Sequence, residues 1–399
     1  VAVELPLDDA WRDRLGEVCK EPDGDAKCSI NGLIDWIGNE ARAALEPDYP
    51  NPLAVRDNIL RVMAAHVTVQ PSGHDFFIEG SDSLLEGALR SGVPLNYGCS
   101  GGNCGLCKAK IVSGQVKKTR HHDFALSEAE KIQGYVLVCS NTAVTDVEIV
   151  APVAGGVQDI PFQEIAAKVK SITFVNQDVA LLLLQTPHSK RLRFLAGQYV
   201  TLTLGKSFTA ELPIASCPCD ERTVLFHVRR LPGNLYSDYL FERLKTIVVV
   251  DIEGPQGECI LQEKITRPLY FFAFDMGFAP IKSLIKHAMS LEHSQAINLY
   301  WIGSTDSSIY VPNIPRAWAD ALDNFRYTKL VAGHDLSHLT QWREEALLKM
   351  LKGIINEHPE ITDGDMYIAG PESASKAAER LFLSLGLPKT RVFLTYKNL

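Results

Sequence analysis

Leu95-Asn-Tyr-Gly98-Cys99-Ser-Gly101-Gly102-Asn-Cys104-Gly105-Leu-Cys107 is the stretch that decides the fold, because it carries three soft ligands on one tight loop. A fourth cysteine, Cys139 in Val136-Leu-Val-Cys139-Ser, follows Cys107 with 31 residues between them. The order C-x4-C-x2-C…C is that of four thiolates holding a [2Fe–2S] cluster. Gly98, Gly101, Gly102 and Gly105 can take positive φ, so the backbone can wrap a cluster and turn N–H groups toward its sulfurs. Zinc is the competing use of four cysteines, but structural zinc sites pair two short arms, and here one arm holds three cysteines and the other one.

Working outward, the flanks alternate with the period of strands. His66-Val-Thr-Val-Gln70 and Asp75-Phe-Phe-Ile-Glu79 are joined by Pro71-Ser-Gly-His74, a turn. Leu84 to Arg90 reads as a short helix, Cys107 to Val116 alternates across Ser113-Gly114, Ser127 to Gln133 reads as a helix, and Tyr135–Cys139 and Asp146–Val150 read as strands. Hairpin, helix, ligand loop, strands and last ligand resemble, in that order, the β-grasp fold of plant-type ferredoxins. The resemblance implies that Cys99, Cys104, Cys107 and Cys139 ligate the cluster.

The chain has 399 residues, enough for two or three domains. Lys and Arg total 40 against 48 Asp and Glu, a formal charge of −8, and no basic stripe stands out, so no nucleic-acid partner is expected. The longest aliphatic run, Val179 to Leu184, is too short to span a membrane. Thiols needed as ligands point to a reducing cytoplasm. Cys19, Cys28, Cys217, Cys219 and Cys259 are scattered and read as small buried hydrophobes. Residues 1–66 read as helices with a surplus of acidic side chains, either a docking surface or a solvated cap.

Residues 67–153 form the ferredoxin-like unit. After Ala154-Gly-Gly156, residues 162–265 carry short β-rich runs expected to close an antiparallel barrel, and residues 266–399 alternate strand and helix, which implies a parallel sheet wound on both faces. The fold class expected is therefore multidomain α+β: helical extension, β-grasp ferredoxin, flavin-type β-barrel and α/β nucleotide-type domain. Phe194-Leu-Ala-Gly-Gln-Tyr-Val200, Glu253-Gly-Pro-Gln-Gly-Glu258, Asp275-Met-Gly-Phe-Ala-Pro-Ile-Lys-Ser283 and Ala369-Gly370-Pro371 stand in order. Together they resemble the ferredoxin–NADP reductase superfamily, in particular the reductase components of bacterial multicomponent oxygenases. The resemblance implies a relay from NADH through FAD and a [2Fe–2S] cluster to a protein acceptor such as an oxygenase component. A flavin is needed there because hydride carries two electrons and the cluster accepts one at a time.

The same resemblance implies flavin contacts at Pro213, Ile214, Ala215 and Ser216, at Arg229, and at Gly233, Asn234, Leu235 and Ser237. It implies nicotinamide-nucleotide contacts at Gly277, Ala279, Pro280, Gly370 and Pro371. No catalytic side chain is assigned. Two motifs are eroded. Where the family has Arg-x-Tyr-Ser, this chain has Ala210-Glu-Leu212-Pro213, without cation or aromatic ring. Where it has a glycine-rich turn, this chain has Phe274-Asp275-Met276-Gly277, whose carboxylate would repel a diphosphate. Gly303-Ser-Thr-Asp306 lacks an arginine for a 2′-phosphate, which favours NAD over NADP. A second expectation follows, an electron-transfer or structural subunit whose flavin or NAD site is lost and whose only redox centre is the cluster. His121 and His122 read as a solvated loop, and Trp36, Trp301, Trp318 and Trp342 as packing residues.

Overall fold

The computed structural model describes residues 64–395 apart from 81, 188–189, 206–207, 221, 232, 245–247, 263–265, 292–294 and 333–343. The helices expected over 1–66 lie outside the described residues, with Cys19, Cys28 and Trp36, except that Ala65 and His66 already belong to the first strand. Trp342 also lies outside.

Period-two burial builds the first unit. In β1 (Ala65–Gln70) Val67 and Val69 are buried between half-exposed neighbours, and in β2 (His74–Ile78) Phe76 and Ile78 are buried. The helix α1 (Leu84–Arg90) starts at a reciprocal cap: the Glu86 N–H donates to Ser83 Oγ (3.2 Å) and the Ser83 N–H to Glu86 Oε2 (3.0 Å). It lays Leu84, Leu85 and Ala88 on the sheet core. There follow β3 (Lys108–Ser113), β4 (Val116–Lys118), α2 (Glu128–Ile132), β5 (Tyr135–Leu137), β6 (Asn141–Ala143) and β7 (Val147–Val150). The sheet order is β2-β1-β7-β3-β5, with β1 and β7 parallel, and β4 pairs β6 separately. Antiparallel β3 and β5 pair Lys108 with Leu137, which brings Cys107, just before β3, beside Cys139, just after β5.

The second sheet runs through β8 (Gln163–Phe174), β9 (Val179–Gln185), β10 (Tyr199–Leu204), β11 (Phe208–Pro213), β12 (Thr223–Arg229) and β13 (Val249–Gln256), with α3 (Leu235–Glu242) between the last two. Its order is β11-β10-β13-β8-β9-β12, and the Ala215 N–H donates to the Leu225 carbonyl (2.8 Å), joining the end of β11 to β12 and closing the cylinder. Inward residues such as Leu182, Leu184, Val200, Leu202, Phe226 and Ile252 fill it. Of the stretch Ala210 to Ser216, read from sequence as the flavin loop, Ala210 to Pro213 belong to the strand β11 of this barrel.

In the third, β14 (Leu269–Phe274), α4 (Phe278–Ser290), β15 (Ile297–Gly303), α5 (Asn313–Ala321), β16 (Phe325–Val331), α6 (Glu344–Glu357), β17 (Asp365–Ala369), α7 (Glu372–Ser384) and β18 (Val392–Thr395) alternate. All strand pairs are parallel, in the order β16-β15-β14-β17-β18. Both faces are covered, so Leu269-Tyr-Phe-Phe-Ala-Phe274 is apolar throughout and buried throughout. Phe271, Ala273 and Trp301 face the side of α4 and α5, whereas Tyr270, Phe272 and Ile368 face α6 and α7. The strand order reverses between β14 and β17, so a crevice opens outside their carboxyl ends.

Candidate metal centre and nucleotide crevices

The four cysteines form two pairs. Cys107 Sγ lies 3.2 Å from Cys139 Sγ, both buried, and Ser140 Oγ is 3.4 Å from the latter sulfur. In the other pair the Cys99 N–H donates to Cys104 Sγ (3.3 Å), Asn103 N–H to Cys99 Sγ (3.2 Å) and Leu106 N–H to Cys104 Sγ (3.5 Å). Gly102 adopts φ +84°, and a Cβ there would strike His122 Cβ at 2.5 Å, so only glycine fits this wrapped backbone. Donation from Cys107 pulls the Cys139 thiol down to about 6 and raises its partner's. Burial opposes ionisation of Cys99, but the N–H groups of Asn103 and Gly101 outweigh it and hold that thiol below its usual range. Among the described residues no three metal-ligating side chains converge as on a single ion. Two pairs of soft donors ringed by N–H groups fit a dinuclear cluster, in which each iron takes two thiolates, better than one tetrahedral zinc. His121 is exposed, and His122 gives its Nδ1 to the Phe124 carbonyl (2.8 Å).

One helix joins the two other regions. Gly277 opens α4 at the carboxyl end of β14, and a Cβ there would lie 2.0 Å from the Ala369 carbonyl and 2.8 Å from Gly370 N, so Gly277, Ala279, Pro280, Gly370 and Pro371 gather at the switch of strand order. One turn further, Lys282 Nζ donates to the Ala215 carbonyl (2.9 Å), Ser283 Oγ to the Ser216 carbonyl (2.6 Å), and Lys286 pairs with Asp220 (2.7 Å). Burial lowers Lys282 to about 8. The stretch Pro213, Ile214, Ala215 and Ser216 is buried, and the Ile214 N–H is taken by the Gln198 carbonyl (3.0 Å). Sequence reasoning missed Lys282, Ser283 and Lys286, although their i, i+1, i+4 spacing on an apolar helix was visible.

The turn before α4 closes on its own chain. Asp275, at φ +48° and 4% exposed, accepts from the Ser304 N–H (2.7 Å) and Ser304 Oγ–H (2.8 Å), and its carbonyl accepts from Trp301 Nε1 (3.0 Å). Phe278 stacks on Trp301 with ring centres 4.0 Å apart, and Tyr310 gives its hydroxyl to His227 Nδ1 (2.7 Å) across the boundary with the barrel. His227 Nε2 is buried without a hydrogen-bond partner, and burial, with Lys282 nearby, holds this ring well below its usual pKa.

At α3 the turn supplies partners for its own hydroxyl. Ser237 Oγ donates to the Leu231 carbonyl (3.0 Å) and accepts from the Leu231 N–H (3.1 Å), so this hydroxyl is spent inside the turn. Asn234 Oδ1 caps the Ser237 N–H (3.0 Å). Gly233, Asn234 and Leu235 are exposed, as is Arg229, whereas Arg230 pairs with Glu242 (3.0 Å). A correction concerns the thiols: Cys217 and Cys219 are joined as a disulfide, and Cys259 alone of the described three is a free buried thiol.

Residues 67–144 match the 2Fe-2S iron-sulfur cluster binding domain, and residues 166–260 the oxidoreductase FAD-binding domain. The chain is 32% identical over 245 residues to terephthalate 1,2-dioxygenase, reductase component 1, of Comamonas sp, covering 61% of this chain and 72% of that one. The chain belongs to the iron–sulfur flavoprotein reductases. As such a reductase it is an electron-transfer oxidoreductase of the NAD(P)H-dependent ferredoxin type. It is also 29% identical over 331 residues to the CDP-6-deoxy-L-threo-D-glycero-4-hexulose-3-dehydrase reductase of Yersinia pseudotuberculosis serotype I (strain IP32953), covering 83% of this chain and 98% of that one. The crystal structure of Amycolatopsis cytochrome P450 reductase GcoB shares the fold, with a TM-score of 0.51 and 23% identity over 83% of this reductase and 98% of that chain. No helix among the described residues is long and apolar enough to cross a membrane.

Proposed function

We propose that this reductase draws electrons from NADH, divides them at FAD and delivers them singly through a [2Fe–2S] cluster on Cys99, Cys104, Cys107 and Cys139 to a protein acceptor in the cytoplasm, an oxygenase component or another redox enzyme. The observation that carries the reading is the pairing of the four sulfurs, with N–H donors from Cys99, Asn103 and Leu106 aimed at them. Those donors stabilise thiolate charge and its increase on reduction. Leu106 stands 55% exposed between two of the ligands, which makes this loop the face from which an electron would leave. When bound, flavin supplies the conversion of a hydride's two electrons into single steps.

For the flavin, the exposed turn at Gly233, Asn234 and Leu235, in which the Asn234 N–H is already taken by the Leu231 carbonyl (2.9 Å), and the exposed guanidinium of Arg229, without a partner among the described residues, are the groups we assign to the phosphate, and Pro213, Ile214, Ala215 and Ser216 to the wall behind the ring. Lys282 and Ser283 hold that wall from α4, the helix whose first turn lies at the nucleotide crevice of Gly277, Ala279, Pro280, Gly370 and Pro371. The domain limits that go with this reading are 67–153, 162–265 and 266–399.

A second reading, an electron-transfer subunit with the cluster as its only redox centre, is favoured by Asp275, whose carboxylate and Ser304 occupy one another where a diphosphate would lie. One anaerobic experiment decides. Iron and acid-released flavin are quantified on the purified full chain, and its visible spectrum is followed on adding NADH. A flavin with a pair of irons, bleached by NADH, is the expected result. Iron without flavin, reduced by dithionite but not by NADH, overturns it in favour of the second reading.

A further inference from the structure

Arg193 lies in the segment between β9 and β10, and at 7% exposure it is one of the most deeply placed cations among the described residues. Gln163 pins its backbone from both sides, accepting the Arg193 N–H (3.0 Å) and donating to its carbonyl (2.7 Å). The guanidinium crosses to the ferredoxin-like unit. It donates to Asn96 Oδ1 (2.8 Å), lies 5.2 Å from the centre of the Tyr97 ring, and makes a longer bond to the Asp159 carbonyl (3.4 Å). The same Asn96 amide donates to the Leu106 carbonyl (3.4 Å), between Cys104 and Cys107.

No carboxylate pairs with Arg193 among the described residues: its direct partners are an amide, a carbonyl and a ring face. Burying a guanidinium without an anion is costly, and the usual compensation is a buried opposite charge. Burial disfavours the charged form, while Tyr97, Cys104 and Asp159 act the other way. Cys104 is the member of that set in the ligand loop. Two ferric irons, two sulfides and four thiolates carry two net negative charges, and one-electron reduction adds a third, so the loaded loop supplies a larger anion than the Asp159 carboxylate, which acts on Arg193 without pairing with it directly.

We propose that Arg193 is the counter-ion of the cluster, reaching from the barrel to hold the ligand loop through Asn96 and to favour the reduced cluster electrostatically. This rests on the ligand assignment proposed above. Arg193 acts as a positioning and potential-setting residue, since it touches neither iron nor thiolate directly. Its effect reaches the cluster in a medium where charge is poorly screened, so the loss of one unit charge is felt over several ångströms.

The test is a redox titration of the cluster, followed by electron paramagnetic resonance, on the purified full chain and on Arg193→Gln, Arg193→Met and Arg193→Lys. Iron content and visible absorbance are measured first. The neutral variants are expected to keep their iron and to show about tenfold less reduced cluster at a fixed poise, a shift of about 59 mV for a one-electron couple. Arg193→Lys keeps the charge and is expected to stay within about twofold of the wild type. Arg193→Met replaces the charge with an apolar stem and serves if Arg193→Gln does not fold. Iron-replete neutral variants at the wild-type potential would overturn the counter-ion role alone. A lysine variant shifted as far as the glutamine one would overturn it too, in favour of hydrogen-bond geometry. Absence of iron from the wild type would overturn both this inference and the ligand assignment beneath it.

Discussion

The ligand loop at 98–107 and the turn at 274–277 are both tight connections rich in N–H groups at a strand end, yet they use their polar groups in opposite ways. In the first, the N–H groups of Cys99, Asn103 and Leu106 converge on sulfurs, atoms that gain full value as acceptors only when ionised. In the second, the acceptor is built in: Asp275 takes both donors of Ser304, and its backbone takes the Trp301 indole N–H. A loop whose donors point at potential ligand atoms is an open site. A turn whose donors and acceptors satisfy one another is structurally complete without a ligand.

The largest effect that would break this comparison falls on the first loop. Cys104→Ser is expected to abolish the visible iron–sulfur absorbance and to release the iron, while leaving the far-ultraviolet spectrum of the barrel and the α/β unit in place, because the cores of those units contain no ligand residue. A normal iron–sulfur spectrum in this variant would mean that the paired sulfurs are not the ligands.

The contrast also explains how much of the molecule was legible in the sequence. The cluster loop was legible because its ligands lie close in sequence and its chemistry limits the residue types. Most strands of the three units were legible because burial follows period two or runs unbroken through Leu269–Phe274, whereas β11 (Phe208–Pro213) was hidden behind a loop reading. What was hidden is long-range. Asp275 reads from sequence as a repulsive charge, but its partner Ser304 is 29 positions away. Ser237 reads as a free hydroxyl, but it folds back on Leu231. The helix Asn313–Ala321 was missed because Pro312 and Pro315 mark a break in sequence, although proline is tolerated in a first helical turn. Arg193 gave no signal, since only the fold brings residue 193 to Asn96.

Acid sharpens the comparison from the α4 side, with a smaller effect. His287 is buried on α4, its Nδ1 3.9 Å from Cys217 Sγ and 3.4 Å from Ser290 Oγ, and burial lowers it from 6.5 to about 4. Between those values the unfolded chain binds a proton that the folded chain refuses, so stability is full above pH 6.5 and is lost as pH falls toward 4, by about 3 kcal/mol in all. Urea unfolding across that window is expected to show this slope in the wild type and a flatter one in His287→Gln. Equal slopes would mean that another group carries the acid sensitivity.

The smallest effect is the most telling for the turn. Asp275→Gly removes the carboxylate and leaves a residue for which φ +48° carries no steric cost, but it strands the two donors of Ser304. Those donors then face the crevice at the carboxyl end of β14, where a diphosphate would find two N–H or O–H groups and no negative charge. NADH is expected to bind about tenfold more tightly, about 1.4 kcal/mol, as read by titrating nucleotide fluorescence. Asp275→Asn separates the two causes, because it keeps an acceptor for Ser304 and removes only the charge. If Asp275→Asn gains as much as Asp275→Gly, repulsion alone limits the nucleotide. If only the glycine variant gains, the closed hydrogen bonds limit it. If neither gains, Asp275 does not guard the crevice, and the contrast between an open loop and a closed turn no longer accounts for how this reductase meets its electron donor.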